Sequence, residues 1–135
     1  FWVTDHGTRG RIDMVVYSFP YVSGRTFTLD YLVAMRDSVL GEHIQGAFPG
    51  SYMTTEKRFT PSYEAISKNG EYCGVVRGLW EMEGDMMGGP FVSHAHLDEK
   101  NQRVVVTETF VYAPNTKKAK LLRRGEASLY TFCMD

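Results

Sequence analysis

The chain has 135 residues, of which 23% are charged and 43% are hydrophobic, and its formal net charge is −1. This composition argues against an intrinsically disordered chain, and the balanced charge argues against the strongly basic surface of a nucleic-acid-binding protein. The length is that of one typical domain, so we expect residues 1–135 to form a single domain.

The opening segment FWVTDH has the composition of a β-strand, and its first residue is Phe1 rather than methionine. We therefore expect the sequence to begin inside a larger protein. No apolar run approaches the ~20 residues that a membrane-spanning helix needs. Any membrane attachment is expected to come from a segment upstream of Phe1.

The next elements are a strand, a helix and a short strand. The β-branched and aromatic residues of 11–19 predict a strand that Pro20 closes. Thr28 is a suitable N-cap for a helix that ends near Gly46, with a short strand at 52–55 after it. The apolar residues of this helix recur with the helical period: Leu29, Leu32, Val33, Val39, Leu40 and Ile44.

The second half of the chain predicts two hairpins and a final helix. Asn69-Gly70 joins strands at 63–68 and 71–82, because a two-residue type I′ turn needs positive φ at both positions. The polar segment DEKNQ joins strands at 90–97 and 103–112. Asn115 can cap a helix at 116–132. Its inward face would carry Ala119, Leu122, Gly125, Glu126, Leu129 and Cys133. This order predicts an α+β domain, with one mainly antiparallel, hairpin-linked sheet packed against two helices.

The segment MEGDMMGGPF joins two predicted strands and contains three glycines and a proline. A turn between strands is sufficient to explain the glycines and Pro90. A turn does not require the adjacent Met86 and Met87, and methionine is common on adaptable binding surfaces. The loop from Gly84 to Pro90 is therefore a candidate partner-binding site. A phosphate-binding loop is disfavoured, because no helix start or lysine follows the glycines.

Two histidines are candidate metal ligands, whereas the two cysteines are not. His94 and His96 lie two residues apart on a predicted strand, so their side chains leave the same face ~7 Å apart. A metal site would need a third ligand, and Asp98 is the local candidate. Solvated histidines are the alternative. Cys73 and Cys133 lack metal-binding spacing and are expected to be buried hydrophobes. A disulfide between them is the alternative, and it would need their Cα atoms within ~7 Å. No cofactor is expected.

Arg77, Glu108 and Glu126 each lie among apolar residues of a predicted strand or helix face. A charge in such a place usually has a partner, and Arg77 can pair with Glu108 or with Glu126. One interpretation is structural pairing. The other is a polar pocket around these three residues with a perturbed carboxylate, which is a common mark of functional sites.

The start of the final helix is basic. The segment KKAKLLRR places five positive charges there, where they oppose the helix dipole: Lys117, Lys118, Lys120, Arg123 and Arg124. A solvated face is one explanation, and contact with an acidic partner or anionic headgroups is the other. Base-stacking aromatic residues are absent between these charges, so no nucleic-acid partner is expected.

The sequence has neither a GxSxG motif nor a catalytic cysteine signature, which does not exclude an enzyme but gives no basis for naming a reaction. The segments YSFPYVSGRTFTLDYLVAMRDSV and RGLWEMEGDMMGGPFVSH, together with FVYAP, resemble a family of cell-envelope lipoproteins of gut and oral Bacteroidetes, built on a domain of unknown function. The resemblance covers nearly the whole chain. It implies that this chain is the C-terminal half of a longer protein with an N-terminal lipoprotein signal. It supplies no catalytic or ligand residues. The strand order is also similar to that of PsbP-like domains, which usually act in binding or assembly.

Three hypotheses of function follow. The first is a non-catalytic domain that binds another envelope protein, in the periplasm or at the outer membrane, through the methionine loop and the basic helix start. The second is a small-ligand or hydrolytic site around Arg77 and Glu108, with His94 and His96 nearby. The third is support of the missing N-terminal half. Exposed methionines would favour the first hypothesis, whereas convergence of the polar side chains in a pocket would favour the second.

Overall fold

The computed structural model describes residues 2–6, 11–24, 26–46, 49–68, 71–112 and 119–130, and these residues form the predicted α+β architecture. The strands are β1 (Trp2–His6), β2 (Arg11–Pro20), β3 (Tyr52–Thr55), β4 (Ser62–Lys68), β5 (Glu71–Glu83), β6 (Gly88–Asp98) and β7 (Arg103–Tyr112). The helices are α1 (Leu29–His43) and α2 (Ala119–Leu129). Neither helix has both the length and the apolar character needed to cross a membrane, within the described part of the chain.

The strands form one antiparallel sheet in the order β1-β2-β7-β6-β5-β3. The fourth strand, β4, also pairs with β5, outside this order. The two short strands β3 and β4 therefore share one edge of β5, which has 13 residues, while β6 pairs along the other edge. Strand β5 therefore pairs with three other strands: β3 and β4 on one edge and β6 on the other.

The two helices pack on opposite faces of the sheet. Successive residues of each strand point to opposite faces, so alternate residues contact α1 and α2. The residues that face α1 include Phe91, Ala95, Glu108 and Phe110. The residues that face α2 include Val92, His94 and Thr109. The main apolar core lies between α1 and the sheet, and a smaller one lies between α2 and the sheet. The result is a three-layer packing of helix, sheet and helix.

Helix α1 begins as predicted. The hydroxyl of Thr28 accepts a hydrogen bond from the backbone N–H of Tyr31 at 3.3 Å, which is an N-cap. The helix ends at His43, three residues before the predicted Gly46. The reason is that Ile44 adopts an extended conformation and the chain then forms a bridge between Gln45 and Tyr52 of β3.

Helix α2 approaches the sheet closely at a glycine. A Cβ atom at Gly125 would lie 2.2 Å from the side-chain oxygen of Thr109 on β7, so any larger residue there would push the helix away. Leu122, Glu126 and Leu129 face the sheet as predicted. The ends of the predicted helix 116–132, at 116–118 and 131–132, lie outside the described residues, as do Cys133 and the side chain of Ala119.

Both predicted hairpins are confirmed. Lys68 pairs with Glu71, which leaves a two-residue connection between β4 and β5. Asn69 and Gly70 themselves lie outside the described residues. The DEKNQ segment turns between β6 and β7, with Gln102 at a φ of 49°.

Candidate functional site

The connection between β5 and β6 is shorter than the sequence predicted. Gly88 and Gly89 belong to β6 and pair with Glu81 and Trp80 of β5, so the loop comprises only residues 84–87, which we call the β5–β6 loop. The predicted loop from Gly84 to Pro90 is corrected accordingly. Gly84 has a φ of 82°, which favours glycine.

Glycine is required at position 89 because two other strands meet there. A Cβ atom at Gly89 would lie 2.0 Å from the backbone oxygen of Val111 and 3.0 Å from Nε1 of Trp80. The bare backbone lets the Trp80 indole reach past β6 and donate a hydrogen bond to the Val111 oxygen at 3.1 Å. Gly88 and Gly89 therefore belong to the sheet rather than to a binding loop, and Gly89 is needed for the close packing of β5, β6 and β7.

The two adjacent methionines of the β5–β6 loop have different environments. Met86 is 99% exposed, whereas Met87 packs against the main core. The loop is held by hydrogen bonds: the Met87 carbonyl accepts from the Met82 N–H at 2.9 Å, and the Asp85 carboxylate accepts from the Met86 N–H at 2.7 Å. Met86 is therefore presented to solvent by an ordered turn, and Met87 is one of the residues that anchor this turn.

A shallow groove of about 500 Å³ runs beside Met86. Its charged lining consists of Glu56, Glu81, Asp85 and Arg58, so carboxylates outnumber the cation. Arg58 donates to both carboxylate oxygens of Glu56, at 3.1 and 3.0 Å. The groove thus has a net negative charge next to an exposed apolar side chain.

The carboxylates of the groove titrate unequally. The hydrogen bonds from Arg58 lower the pKa of Glu56 to about 2, and a side-chain hydrogen bond with Glu56 raises the pKa of Glu81. Glu56 therefore stabilises the fold above its ordinary pKa of 4.5, and this contribution is lost as the pH falls towards about 2. The contribution of Glu81 to stability depends on pH in the opposite direction. Its protonated form stabilises the fold at low pH, and this contribution is lost as the pH rises through its raised pKa.

We expect Arg58→Ala to return the pKa of Glu56 part of the way towards its ordinary value, because the side-chain hydrogen bonds that favour the ionised form would be removed, whereas the backbone N–H of residue 58 would still donate to Glu56. Carboxyl NMR titration of wild type and variant would measure this change. Arg103→Ala, at the β6–β7 turn, is the control and should leave Glu56 unchanged. A Glu56 midpoint that stays at about 2 without Arg58 would contradict this assignment.

A second cavity, of about 760 Å³, lies near the opposite end of β6. Tyr21, Phe27, Tyr72 and Leu97 supply its apolar lining. The rings of Phe27 and Tyr72 meet edge to face with their centroids 4.8 Å apart. In the described part of the chain, Arg77, Glu108 and Glu126 line neither this cavity nor the groove.

The three charged residues of the predicted polar pocket do not converge. Arg77 pairs with Glu126 of α2, with one contact of 2.9 Å, and this hydrogen bonding lowers the pKa of Glu126. Glu108 lies on the other face of the sheet and pairs with Arg36 of α1. The strand alternation predicted both faces correctly, but the sheet separates them. A single pocket formed by all three residues is therefore corrected to two separate ion pairs.

Arg36, the partner of Glu108, was not anticipated as a core residue. Nε and Nη2 of Arg36 donate to the two carboxylate oxygens of Glu108 at 2.8 and 3.0 Å, and Nη1 donates to Thr55 at 3.1 Å. The guanidinium stacks on the ring of Phe91 at 3.9 Å. Burial lowers the pKa of Arg36, but the charge and hydrogen bonds of Glu108 outweigh it and raise the pKa overall. Glu108 is fully buried, so this pair is part of the core.

The predicted histidine pair lies on the α2 face, next to Cys73. Cys73 is the direct cross-strand neighbour of His96, and the donor atoms of Cys73, His94 and His96 all lie within 4.8 Å of one another. Asp98, the predicted third ligand, instead accepts hydrogen bonds from Asn101 and Arg103 at the turn. The third side chain in this cluster is therefore Cys73 rather than Asp98.

A family model described as "Domain of unknown function (DUF4837)" matches residues 1–131. The chain belongs to this family. The resemblance to a domain of unknown function is thereby confirmed. Searches of the curated proteins and of the solved structures found no match.

In this member of the DUF4837 family, the predicted basic surface is described only in part. Arg123 and Arg124 are exposed on α2. Lys117, Lys118 and the side chain of Lys120 lie outside the described residues. Leu121 and Leu122 of α2 pack near Val111, the residue that Gly89 borders, so the described part of α2 that carries Arg123 and Arg124 lies at the same end of the sheet as the β5–β6 loop.

Proposed function

We propose that this domain is a non-catalytic binding or assembly module of a Bacteroidetes cell-envelope lipoprotein. In this proposal residues 1–135 act as one domain, the membrane attachment is an upstream lipid anchor, and the protein works in the periplasm or at the outer membrane. The lipoprotein context rests on the resemblance of the segments quoted above. The binding role rests on the surface around Met86. A PsbP-like relationship belongs to the same proposal and rests on strand order alone.

The observation that carries the proposal is the near-complete exposure of Met86, at 99%, on a hydrogen-bonded turn. Methionine is often used at adaptable binding surfaces, because its flexible thioether side chain fits partners of different shapes. The neighbouring Met87 is partly buried and packs against the main core, so the two methionines of the turn point into different environments. Contact with a partner would remove Met86 from water without rearranging the loop.

The groove defines the chemistry of the partner. Glu56, Glu81 and Asp85 against Arg58 give it a net negative charge, and Phe59 adds a second exposed apolar side chain, at 58%, beside Arg58. We therefore infer that the partner is an envelope protein that inserts a segment with an apolar side chain flanked by basic residues. The missing N-terminal half of the same lipoprotein is the competing occupant.

The basic start of α2 supplies a second contact in this proposal. Arg123 and Arg124 lie at the same end of the sheet as Met86 but carry the opposite charge to the groove. A partner that reaches both surfaces would place acidic groups near Arg123 and Arg124 and basic groups in the groove. Such a charge pattern fixes the orientation of a complex more than it raises its affinity.

The competing hypothesis of a small-ligand or hydrolytic pocket has less support. It required Arg77 and Glu108 to share a cavity, and they lie on opposite faces of the sheet. Glu108 is also buried against Arg36, so a substrate does not reach its carboxylate.

Site-specific photo-crosslinking tests the proposal. The full-length lipoprotein, in its native membranes, would carry a photoreactive amino acid in place of Met86. The matched control carries it in place of Lys100, an exposed residue of the β6–β7 turn at the other end of the sheet. We expect position 86 alone to yield an adduct with one envelope protein, through a peptide that is basic and apolar. Adducts within the same lipoprotein, or equal yields at both positions, would contradict a separate partner at this surface.

Met86→Ser should then weaken partner binding about tenfold, which corresponds to ~1.4 kcal/mol. The free energy of unfolding should change by less than about 0.5 kcal/mol, because the side chain is in solvent. Met87→Ser is the opposite control and should lower stability by about 1–2 kcal/mol, since that side chain packs on the core. Binding measured with the captured partner and urea denaturation would separate the two effects. Unchanged binding by Met86→Ser would remove Met86 from the interface.

A further inference from the structure

The α2 face of the sheet holds a buried cluster of one thiol and two imidazoles. The register pairs Cys73 of β5 with His96 of β6, and His94 lies two residues before His96 on the same face. The Cys73 Sγ atom lies 4.0 Å from Nε2 of His96, and the nearest donor atoms of all three residues lie within 4.8 Å of one another. The three side chains are at most 5% exposed.

These donors are the ones that Zn²⁺ prefers. With Zn–S bonds of ~2.3 Å and Zn–N bonds of ~2.0–2.1 Å, ligand atoms of a tetrahedral site lie ~3.3–3.6 Å apart. Because the present separations are at most 4.8 Å, a shift of under about 1 Å in each side chain would bring the donors to these distances. The strands need not move, since they already present the three side chains on one face.

The surroundings shield the cluster from solvent. Cys73 belongs to an apolar cluster with Val75, Val92 and Leu129. The ring of Tyr130 covers His94 edge to face, with the ring centroids 5.0 Å apart, and shields it from solvent.

Thr107 provides an independent observation. It lies directly opposite His94 on β7, and its hydroxyl oxygen is buried without a hydrogen-bond partner among the described residues. A metal-bound imidazole usually donates its second ring N–H to a fixed acceptor, which sets the ring orientation. The Thr107 hydroxyl can serve as this acceptor for His94, and metal binding would then satisfy a buried group.

We propose that Cys73, His94 and His96 form a binding site for a divalent transition metal of the zinc type, with Thr107 as a positioning residue for His94. Cys73 would bind as the thiolate and release its proton to solvent. Three protein ligands leave a fourth position for water or a further donor. This site shares no residue with the groove beside Met86, and it does not depend on the binding role proposed above.

Cobalt substitution tests the site directly. Metal-free protein, kept reduced, would be titrated with Co²⁺ and then with Zn²⁺. We expect one equivalent of Co²⁺ to give a thiolate-to-cobalt charge-transfer band and the visible absorption of four-coordinate cobalt, both removed by Zn²⁺. Zn²⁺ should also raise the midpoint of thermal unfolding of the wild-type protein. A folded protein that gives no charge-transfer band and no zinc-dependent stabilisation would overturn the proposal.

Substitutions of the cluster residues identify which side chains bind the metal. Cys73→Ser should abolish the charge-transfer band, and His94→Gln or His96→Gln should weaken Co²⁺ binding, whereas Thr107→Val should keep the band with about tenfold lower affinity. His43→Gln, at an exposed histidine of α1, is the control and should bind as wild type. A band that survives Cys73→Ser but is lost in Cys133→Ser would assign the thiolate to the other cysteine and overturn the site. Met86→Ser should not alter the cobalt spectrum, which separates this test from that of the proposed function.

Discussion

Replacing Arg36 with methionine is expected to lower the free energy of unfolding by about 3–5 kcal/mol, because it leaves the carboxylate of Glu108 buried without its partner. Arg36 and Glu108 are 1% and 0% exposed, and two hydrogen bonds join them. The variant also loses the hydrogen bond to Thr55 and the stacking on Phe91. Urea denaturation of the wild type and of Arg36→Met would give the difference from the shift in the transition midpoint.

The double variant Arg36→Met with Glu108→Leu should recover most of this loss, because an apolar pair of similar volume carries no unpaired charge. Arg103→Met is the control, since Arg103 is half exposed and its ion pair with Asp98 lies at the surface. It should cost less than about 1 kcal/mol. If Arg36→Met cost no more than Arg103→Met, Glu108 would have to be neutral in the folded protein, and the ion pair would not exist.

Gly89→Ala is expected to destabilise the fold by about 2–4 kcal/mol, because it combines steric overlap with the loss of a buried hydrogen bond. The new methyl group would lie 2.0 Å from the Val111 oxygen and would block the hydrogen bond that Trp80 donates to it. The neighbouring atoms belong to the backbone of β7, so they cannot move aside as a flexible side chain would. Thermal and urea denaturation would both report the change.

Two further variants separate the loss of the hydrogen bond from the steric overlap in Gly89→Ala. Trp80→Phe removes the indole donor without adding an atom to β6, and it should cost about 1–3 kcal/mol. Gly41→Ala, in α1, adds a Cβ that would lie 3.2 Å from the nearest backbone oxygen, so it tests a milder contact. Gly41→Ala should be tolerated within about 1 kcal/mol, as helix propensity offsets the contact. Equal effects of Gly89→Ala and Gly41→Ala would contradict the close approach of β6 to Val111.

The local signals in the sequence predicted the elements well. The cap at Thr28 and the hairpin around Asn69-Gly70 depend on a few adjacent residues, so they can be recognised without the rest of the fold. The helical period also predicts α1 correctly, but the predicted buried face lacks Arg36, which the structure buries. Arg36 lies four residues from both Leu32 and Leu40, and this spacing is the signal that could have identified it. A lone arginine is almost always at the surface, which is why the spacing was overlooked.

The long-range pairings were predictable only in part. The apolar neighbours of Arg77 and Glu126 indicated that each needed a partner, and the structure pairs them. The sequence could not decide between Glu126 and Glu108, because that choice depends on which helix covers which face. The approach of Cys73 to His96 depends on the register between β5 and β6, which Gly88 and Gly89 set by joining the strand. The sequence pattern places these glycines in a loop, so it predicts neither the register nor the proximity of Cys73 to His96.

The two ion pairs that join the helices to the sheet have opposite polarity, and this determines how the layers can assemble. Helix α1 brings a cation, Arg36, to an acid on one face, whereas α2 brings an acid, Glu126, to a cation, Arg77, on the other. If the helices exchanged faces, Arg36 would meet Arg77 and Glu126 would meet Glu108, so like charges would be brought together. The sheet therefore discriminates between its two helices by charge, and the reversed sandwich is disfavoured even though both helices offer apolar surface.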